Sequence, residues 1–182
     1  MQRKLSIALG VVIARERIGH PWQEYAWRPA SVFLNAPEVS EWRELRRDAA
    51  STYYHAATLP LELHAKDTLG YVANLNEDEP SVYVVVREGG PAGQPVHVAI
   101  VTASPHEAEA YGQISEEIVG PVAMPQPLLE LVEAFVAEHH TEEPFVKRQR
   151  QKHHRAEEHK FGQEPIAELR QRKGQPGASE NE

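Results

Sequence analysis

The chain has 182 residues and no cysteine. This absence excludes structural disulfides, thiolate zinc sites, cysteine-ligated iron–sulfur clusters and a cysteine nucleophile. It also fits a reducing compartment, so we expect a cytoplasmic protein. The chain lacks a GxSxG nucleophile elbow, an HExxH zinc motif and a phosphate-binding loop as well. With no catalytic signature, the balance favours a protein that is not an enzyme, and no cofactor or metal is expected.

Long hydrophobic runs are also lacking. The ten-residue apolar stretch LSIALGVVIA, at positions 5–14, is too short to span a bilayer. A signal peptide with a cleavage site at Val12-Ile13-Ala14 is one interpretation of this stretch. Its β-branched residues at positions 11–13 favour the other, a buried first strand from Leu5 to Ile18. We therefore expect no attachment to a membrane.

Positive charge is scarce in most of the chain and concentrated near its end. Residues 1–144 carry 10 basic and 21 acidic side chains, whereas residues 145–182 carry 9 basic and 6 acidic ones. An acidic body repels nucleic acid and anionic lipid, because both are bound through cationic contacts. Nucleic acid is therefore an unlikely partner, and a protein partner is expected.

The segment HHTEEPFVKRQRQKHHR, residues 139–155, marks the end of the periodic apolar pattern. We predict one mainly-β domain with a C-terminal helix over residues 1–145, followed by a basic, histidine-containing and largely disordered tail over residues 146–182. A solvated tail is one interpretation of the basic run. The other is a docking element for an acidic protein, formed by Phe145, Lys147, Arg148, Arg150 and Lys152.

Strand patterns dominate the first hundred residues. Pro29 and Pro60 are expected at sheet edges or bulges, and Tyr25, Trp27 and Phe33 share parity on one strand. Residues 65–70 are expected to be a hairpin connection, and residues 42–47 fit a helix or a strand. The predicted strands are Leu5–Ile18, Glu24–Leu34, Tyr53–His64, Tyr71–Leu75, Ser81–Arg87, Val96–Val101 and Glu116–Ala123.

Two helices are predicted late in the chain. Ser104, Pro105 and Glu107 have capping-box spacing and begin a helix that ends near Gly112. A second helix begins near Pro125 or Pro127 and ends at His140, with an apolar stripe of Leu128, Leu131, Val132, Phe135 and Val136. The fold class is therefore α+β: a mostly antiparallel, curved or barrel-like sheet of about six or seven strands, two late helices and a disordered C-terminal tail.

Three groups of residues are candidates for chemistry, and each has a structural interpretation. The histidines could bind a metal, but a solvated polar run is favoured. Ser104 with His106 could form a nucleophile and base, but a helix cap explains both. The tryptophans could stack on a ligand, but core packing is commoner. The histidines are His139, His140, His153, His154 and His159, and the tryptophans are Trp22, Trp27 and Trp42.

The alternative function is an enzyme or small-ligand binder that uses the sheet interior, with His55, His64 or Trp27 at its mouth.

Several segments, in order, resemble a bacterial family of uncharacterised proteins, mostly from proteobacteria. They span roughly residues 10–150 and include GVVIARERIGHPW, the WRP of AWRPASVFL, YHAATLPLELHAKDTLGYVANL, SVYVVV, VTASPHEAEAY, EEIVGPVAMP and HHTEEPFVKRQR. Genes of this family often lie beside those of molybdenum-dependent formate dehydrogenase and its maturation chaperones. The resemblance implies no catalytic residues. It implies a non-catalytic accessory protein that assists maturation or assembly of that enzyme through protein–protein binding, with a component of the enzyme as the partner.

Overall fold

Alternating apolar residues of the first strand build the inner face of a four-stranded antiparallel sheet. The computed structural model describes residues 3–114 and 117–141. The four strands are β1 (Lys4–His20), β2 (Gln23–Leu34), β3 (Arg43–Arg47) and β4 (Ser51–His64), and they are arranged in the order β2-β1-β4-β3. The predicted first strand is therefore confirmed, and the ambiguous segment at 42–47 forms a strand.

A second antiparallel sheet contains the remaining strands. These are β5 (Ser81–Glu88), β6 (Val96–Thr102) and β7 (Glu117–Ala123), in the order β6-β5-β7. The α+β fold class is confirmed; six of the seven predicted strands are found, and β3 is the seventh strand of the described residues. Within the described ranges the strands form two sheets and not a closed barrel.

The space between the two sheets is filled by aliphatic side chains. Each fully buried valine or leucine contributes about 1.5–3 kcal/mol relative to an exposed one, so this layer dominates the stability of the fold. A filled interior also argues against a ligand between the sheets. The buried set includes Leu9, Val11, Ile13, Leu61, Leu63, Val82, Val84 and Val86.

Three α-helices lie against the sheets. They are α1 (Thr68–Leu75), α2 (Pro105–Gly112) and α3 (Gln126–His139), and single 3-10 turns occur at Ala65–Asp67 and Pro91–Gly93. The strand predicted for residues 71–75 and the hairpin connection before it were wrong, because this segment is helical. The helix buries Tyr71 and Asn74, which lie three residues apart and therefore on one helix face.

The two predicted helices are confirmed. Helix α2 begins after Ser104, whose side chain accepts a hydrogen bond from the backbone N–H of Glu107. Helix α3 ends at His139 and buries Leu128, Val132 and Phe135. Leu131 belongs to the predicted stripe but is 40% exposed, so the buried face is narrower than predicted.

Both prolines predicted at sheet edges or bulges are found there, and Pro60 lies in the stretch of β4 that β3 does not cover. Pro29 lies in β2, an edge strand, next to a register shift between Val12 and Ile13 of β1. Because of this bulge, residues of the same parity before and after it lie on opposite faces of β2. Trp27 packs against the core, whereas Phe33 lies over Gly10 on the opposite face. The shared parity of Trp27 and Phe33 therefore did not place them on one face.

Candidate functional site

A cleft of about 740 Å³ opens between two strand edges. Strand β6 is the last strand of its sheet. Strand β3 covers β4 only at Thr52–His55, so the edge of β4 from Leu59 to His64 has no partner strand among the described residues. Residues of both edges line the cleft, together with residues of α1 and of the start of α2.

The backbone of β4 indicates which polar groups point into the cleft. Alternate residues of a strand turn their N–H and C=O groups to the same side. Pro60 has no N–H, and a proline is tolerated in a strand where no hydrogen bond to a neighbouring strand is needed. The N–H of His64 donates to Tyr71 Oη at 3.1 Å, so it points away from β1. Glu62 has the same parity as Pro60 and His64, and its backbone N–H and C=O therefore face the cleft.

The side chains of the cleft combine apolar surface with negative charge. Leu69, which lies on α1, is 72% exposed, and Leu59 and Ile100 supply further apolar surface. Three carboxylates are set against two lysines, Lys66 in the lining and Lys4 paired with Glu62, so the cleft is still net negative when the histidines are neutral. The charged and titratable lining residues are Glu62, His64, Lys66, Asp67, His106 and Glu107.

Glu62 is held in its ionised form. Lys4 Nζ lies 2.7 Å from Glu62 Oε1, and His64 Nε2 lies 3.5 Å from Glu62 Oε2. The hydrogen bond from Lys4 is the main cause of a pKa for the Glu62 carboxyl below its usual value. Glu62 is therefore an anionic residue of the cleft lining at neutral pH.

Ser104 acts as a helix cap at the inner end of the cleft. Its Oγ accepts from the N–H of Glu107 at 3.4 Å, and its own N–H donates to Thr102 Oγ1 at 3.1 Å. Thr102 Oγ1 in turn donates to Glu107 Oε2 at 2.6 Å. The predicted capping box is thus completed through Thr102. The hydrogen bonds of Ser104 are explained by the cap, which supports the structural interpretation over a nucleophile.

The two histidines at the end of α3 make local contacts near the C-terminus of that helix. His139 Nδ1 is 3.0 Å from the carbonyl oxygen of Phe135, and the two rings stack 4.3 Å apart. His140 Nδ1 lies 3.2 Å from Thr68 Oγ1. Within the described part of the chain, no three His, Cys, Asp or Glu side chains are grouped so that they could hold a metal ion. His153, His154 and His159 lie outside the described residues.

The residues proposed for the mouth of an interior pocket do not meet. His55 is buried on the outer face of its sheet, where its ring contacts Phe33, and burial lowers its pKa. His64 lines the cleft, while Trp27 belongs to a cluster with Trp42 and Tyr54.

The third tryptophan, Trp22, is 91% exposed at the turn between β1 and β2. It is thus neither core nor part of the aromatic cluster, contrary to the packing favoured from the sequence.

The predicted docking residues of the tail lie outside the described residues and stay a prediction. They are Phe145, Lys147, Arg148, Arg150 and Lys152. The cleft was missed from the sequence because its walls come from distant segments. Pro60, within an alternating stretch, was the sequence signal for the free strand edge. Leu69 lies on a helix that was interpreted as a loop, so the apolar wall of the cleft was not recognised.

Comparisons with known proteins identify a family and nothing finer. The model of a family described as "Protein of unknown function (DUF3305)" matches residues 8–149, more than three-quarters of the chain. The chain matches no curated protein and no solved structure. Among the described helices, none has the length and apolar character needed to cross a membrane.

Proposed function

The chain belongs to the DUF3305 family of proteins of unknown function, and we propose that it is a non-catalytic accessory protein that binds an extended segment of a partner protein in the cleft. The observation that carries this proposal is the pair of free strand edges, β4 from Leu59 to His64 and β6, on the two sides of the cleft. An extended peptide that adds to a sheet edge gains main-chain hydrogen bonds, and side pockets select its alternate side chains.

The charge of the cleft favours a basic occupant. Glu62, Asp67 and Glu107 outnumber Lys66 and the Lys4 that pairs with Glu62, and residues 1–144 are acidic overall. Complementary charge raises the association rate and selects among partners. We therefore expect the bound segment to alternate basic and apolar residues, with the apolar ones directed at Leu69 and Ile100.

Peptide binding by the full-length protein tests this proposal. A labelled eight-residue peptide of alternating lysine and valine should bind, as measured by fluorescence anisotropy at low salt. Two matched peptides separate the causes of binding. Backbone N-methylation at alternate residues removes the main-chain donors but keeps the charge, and glutamate in place of lysine reverses the charge.

We expect both matched peptides to bind at least about tenfold more weakly, which corresponds to about 1.4 kcal/mol. Glu62→Gln should weaken binding of the lysine peptide, whereas Glu130→Gln, on exposed helix surface, should not. Equal binding of the N-methylated peptide would contradict strand addition, because the free edges would then contribute nothing.

We further propose that the partner is a component of a molybdenum-dependent formate dehydrogenase in the cytoplasm, and that the protein assists maturation or assembly of that enzyme. The support is the resemblance of the segments quoted above, which is associational. The basic residues of the tail, from Lys147 to Lys152, are proposed as a second docking element for an acidic surface of that partner.

Affinity purification from native lysate tests the partner. The full chain should capture formate dehydrogenase subunits at low salt, and a chain ending at Phe145 should capture less. Capture without those subunits contradicts the assignment of the partner, while peptide binding in the cleft is judged separately by the anisotropy measurements.

A further inference from the structure

A second cavity, of about 380 Å³, lies between β2 and the connection from β5 to β6. Its lining residues include Trp27 and Glu88, together with Gly89, Pro95 and Ile118. It shares no lining residue with the cleft. The cavity therefore combines an indole ring, apolar walls and one carboxylate.

The aromatic cluster beside this cavity already binds a cation of the protein itself. The guanidinium carbon of Arg15 lies 4.6 Å from the ring centre of Tyr25 and 5.7 Å from that of Tyr54. Trp27 contacts Tyr54 and Trp42 in the same cluster. Tryptophan attracts cations more strongly than tyrosine. Yet no cation of the described residues lies over the Trp27 ring.

Glu88 is the charged partner that such a site needs. Its side chain is exposed and makes no hydrogen bond or ion pair with another described residue. The neighbouring Arg87 is committed elsewhere, because its Nε donates to Glu117 Oε1 at 2.6 Å. A glutamate and a tryptophan that line one cavity can provide both attractions that an organic cation uses, ion pairing and contact with the ring face.

We propose that Trp27 and Glu88 form a binding site for an organic cation of the guanidinium or alkylammonium class. The cation lies against the indole ring, its charge is paired by Glu88, and its carbon atoms contact Pro95 and Ile118. The source of the cation is either a free small molecule or an arginine or lysine side chain of a partner protein. The site is independent of peptide binding in the cleft.

Titration of the ¹⁵N-labelled full-length protein tests the site. The chain has three tryptophans, so three indole N–H signals are expected, and Trp22→Phe and Trp42→Phe assign them. One arm adds tetramethylammonium chloride, a second adds N-acetyl-arginine amide, and a third adds a blocked Gly-Arg-Gly peptide. Sodium chloride at matched ionic strength is the blank. The Trp27 signal should shift saturably, and the signal of the exposed Trp22 should not.

The arms distinguish the sources of the cation. Tighter binding of tetramethylammonium indicates a free small molecule, and tighter binding of the blocked peptide indicates a side chain of a partner protein. Glu88→Gln should weaken the better ligand roughly threefold to tenfold, while Glu109→Gln, on α2, should leave its affinity unchanged.

Two results would overturn the proposal. One is a Trp27 signal that moves no further than in the sodium chloride blank, a result that needs no variant to fold. The other is equal weakening by Glu88→Gln and Glu109→Gln, because the attraction would then be the general negative charge of the protein.

Discussion

The corner between α1 and α2 and the cleft differ in how completely their polar groups are hydrogen-bonded. In the corner between α1 and α2, Asn74 is 1% exposed, and its amide group makes three hydrogen bonds. Its Nδ2 donates to the carbonyl oxygens of Ser81 and Ala103, both at 2.7 Å, and its Oδ1 accepts from the N–H of Ser81 at 2.9 Å. At the cleft, by contrast, the backbone edges of β4 and β6 have no partner strand among the described residues.

The difference separates polar groups that stabilise the fold from polar groups that remain available for binding. A buried polar group costs stability unless it is bonded, so the corner has to be satisfied by the protein itself. A strand edge open to solvent has no such requirement, and it remains available to another chain. We therefore expect substitutions in the corner to act on stability and substitutions in the cleft to act on binding.

The largest effect is expected from Asn74→Ala. The change leaves two carbonyl oxygens and one N–H without partners in a buried corner, so the free energy of unfolding should fall by about 2–4 kcal/mol. Urea denaturation followed by circular dichroism measures this change. Asn76→Ala, two residues later at an exposed position, is the control and should cost less than about 0.5 kcal/mol. Equal losses in the two variants would contradict the special role of Asn74.

The role of Asn74 also explains why the first helix was missed from the sequence. Tyr71–Leu75 contains a tyrosine and a valine, which favour strands, and a glycine precedes it. The helix is stabilised by bonds from Asn74 to Ser81 and Ala103, and the second of these is 29 residues distant. Local propensity contains no information about such bonds. The spacing of Thr68, Tyr71 and Leu75 was the one helical signal available.

Other elements were predictable because their signals are local. The valine-rich β5 depends on its β-branched residues and α2 on its Ser104 cap, and both were located within about two residues. The strand pairing that leaves two edges open is a property of distant segments. The cleft therefore could not be predicted, and neither could the second cavity that Trp27 and Glu88 both line.

A second prediction concerns the packing of α1 on the cap of α2. A methyl carbon added at Gly70 would lie 2.7 Å from Ser104 Oγ, which is closer than van der Waals contact. Gly70→Ala should therefore destabilise by about 1 kcal/mol, even though alanine favours a helix by a similar amount. Ser104→Ala should cost about 1 kcal/mol through loss of the cap.

A double-mutant cycle separates these two causes. In the Ser104→Ala background the clash is relieved, so Gly70→Ala should become neutral or stabilising in urea denaturation. Additive losses in the double variant would show that the close approach to Ser104 is not the cause. Gly19→Ala is the control for contacts, because a methyl carbon there meets nothing within 4 Å.

A smaller, pH-dependent effect is expected from His55, which shares β4 with the cleft residue His64. Burial is the main cause that lowers the pKa of His55, and the charge of Arg43 adds to it. The unfolded chain therefore takes up this proton first, at its ordinary pKa of about 6.5. The stability contributed by neutral His55 is fully present above pH 6.5 and is lost as the pH falls below it.

The matched variant for this prediction is His55→Asn, which removes the titrating group. Urea denaturation between pH 7.5 and 5 should give a steeper loss of stability in the wild type than in His55→Asn. His20→Asn, at an exposed position, is the control for replacing a histidine that is not buried. Parallel slopes in the wild type and His55→Asn would mean that another group carries the pH dependence.

The smallest effect on stability, but a clear effect on binding, is expected from Leu69→Gln. Leu69 is 72% exposed, so its substitution should change the free energy of unfolding by less than about 0.5 kcal/mol. Its side chain forms the apolar wall of the cleft, so affinity for the lysine–valine peptide should fall severalfold. Leu131→Gln, a partly exposed leucine on α3, is the matched control and should bind the peptide normally. If both variants bind alike while Asn74→Ala still unfolds early, the corner keeps its structural role and the open cleft loses its assignment as the binding surface.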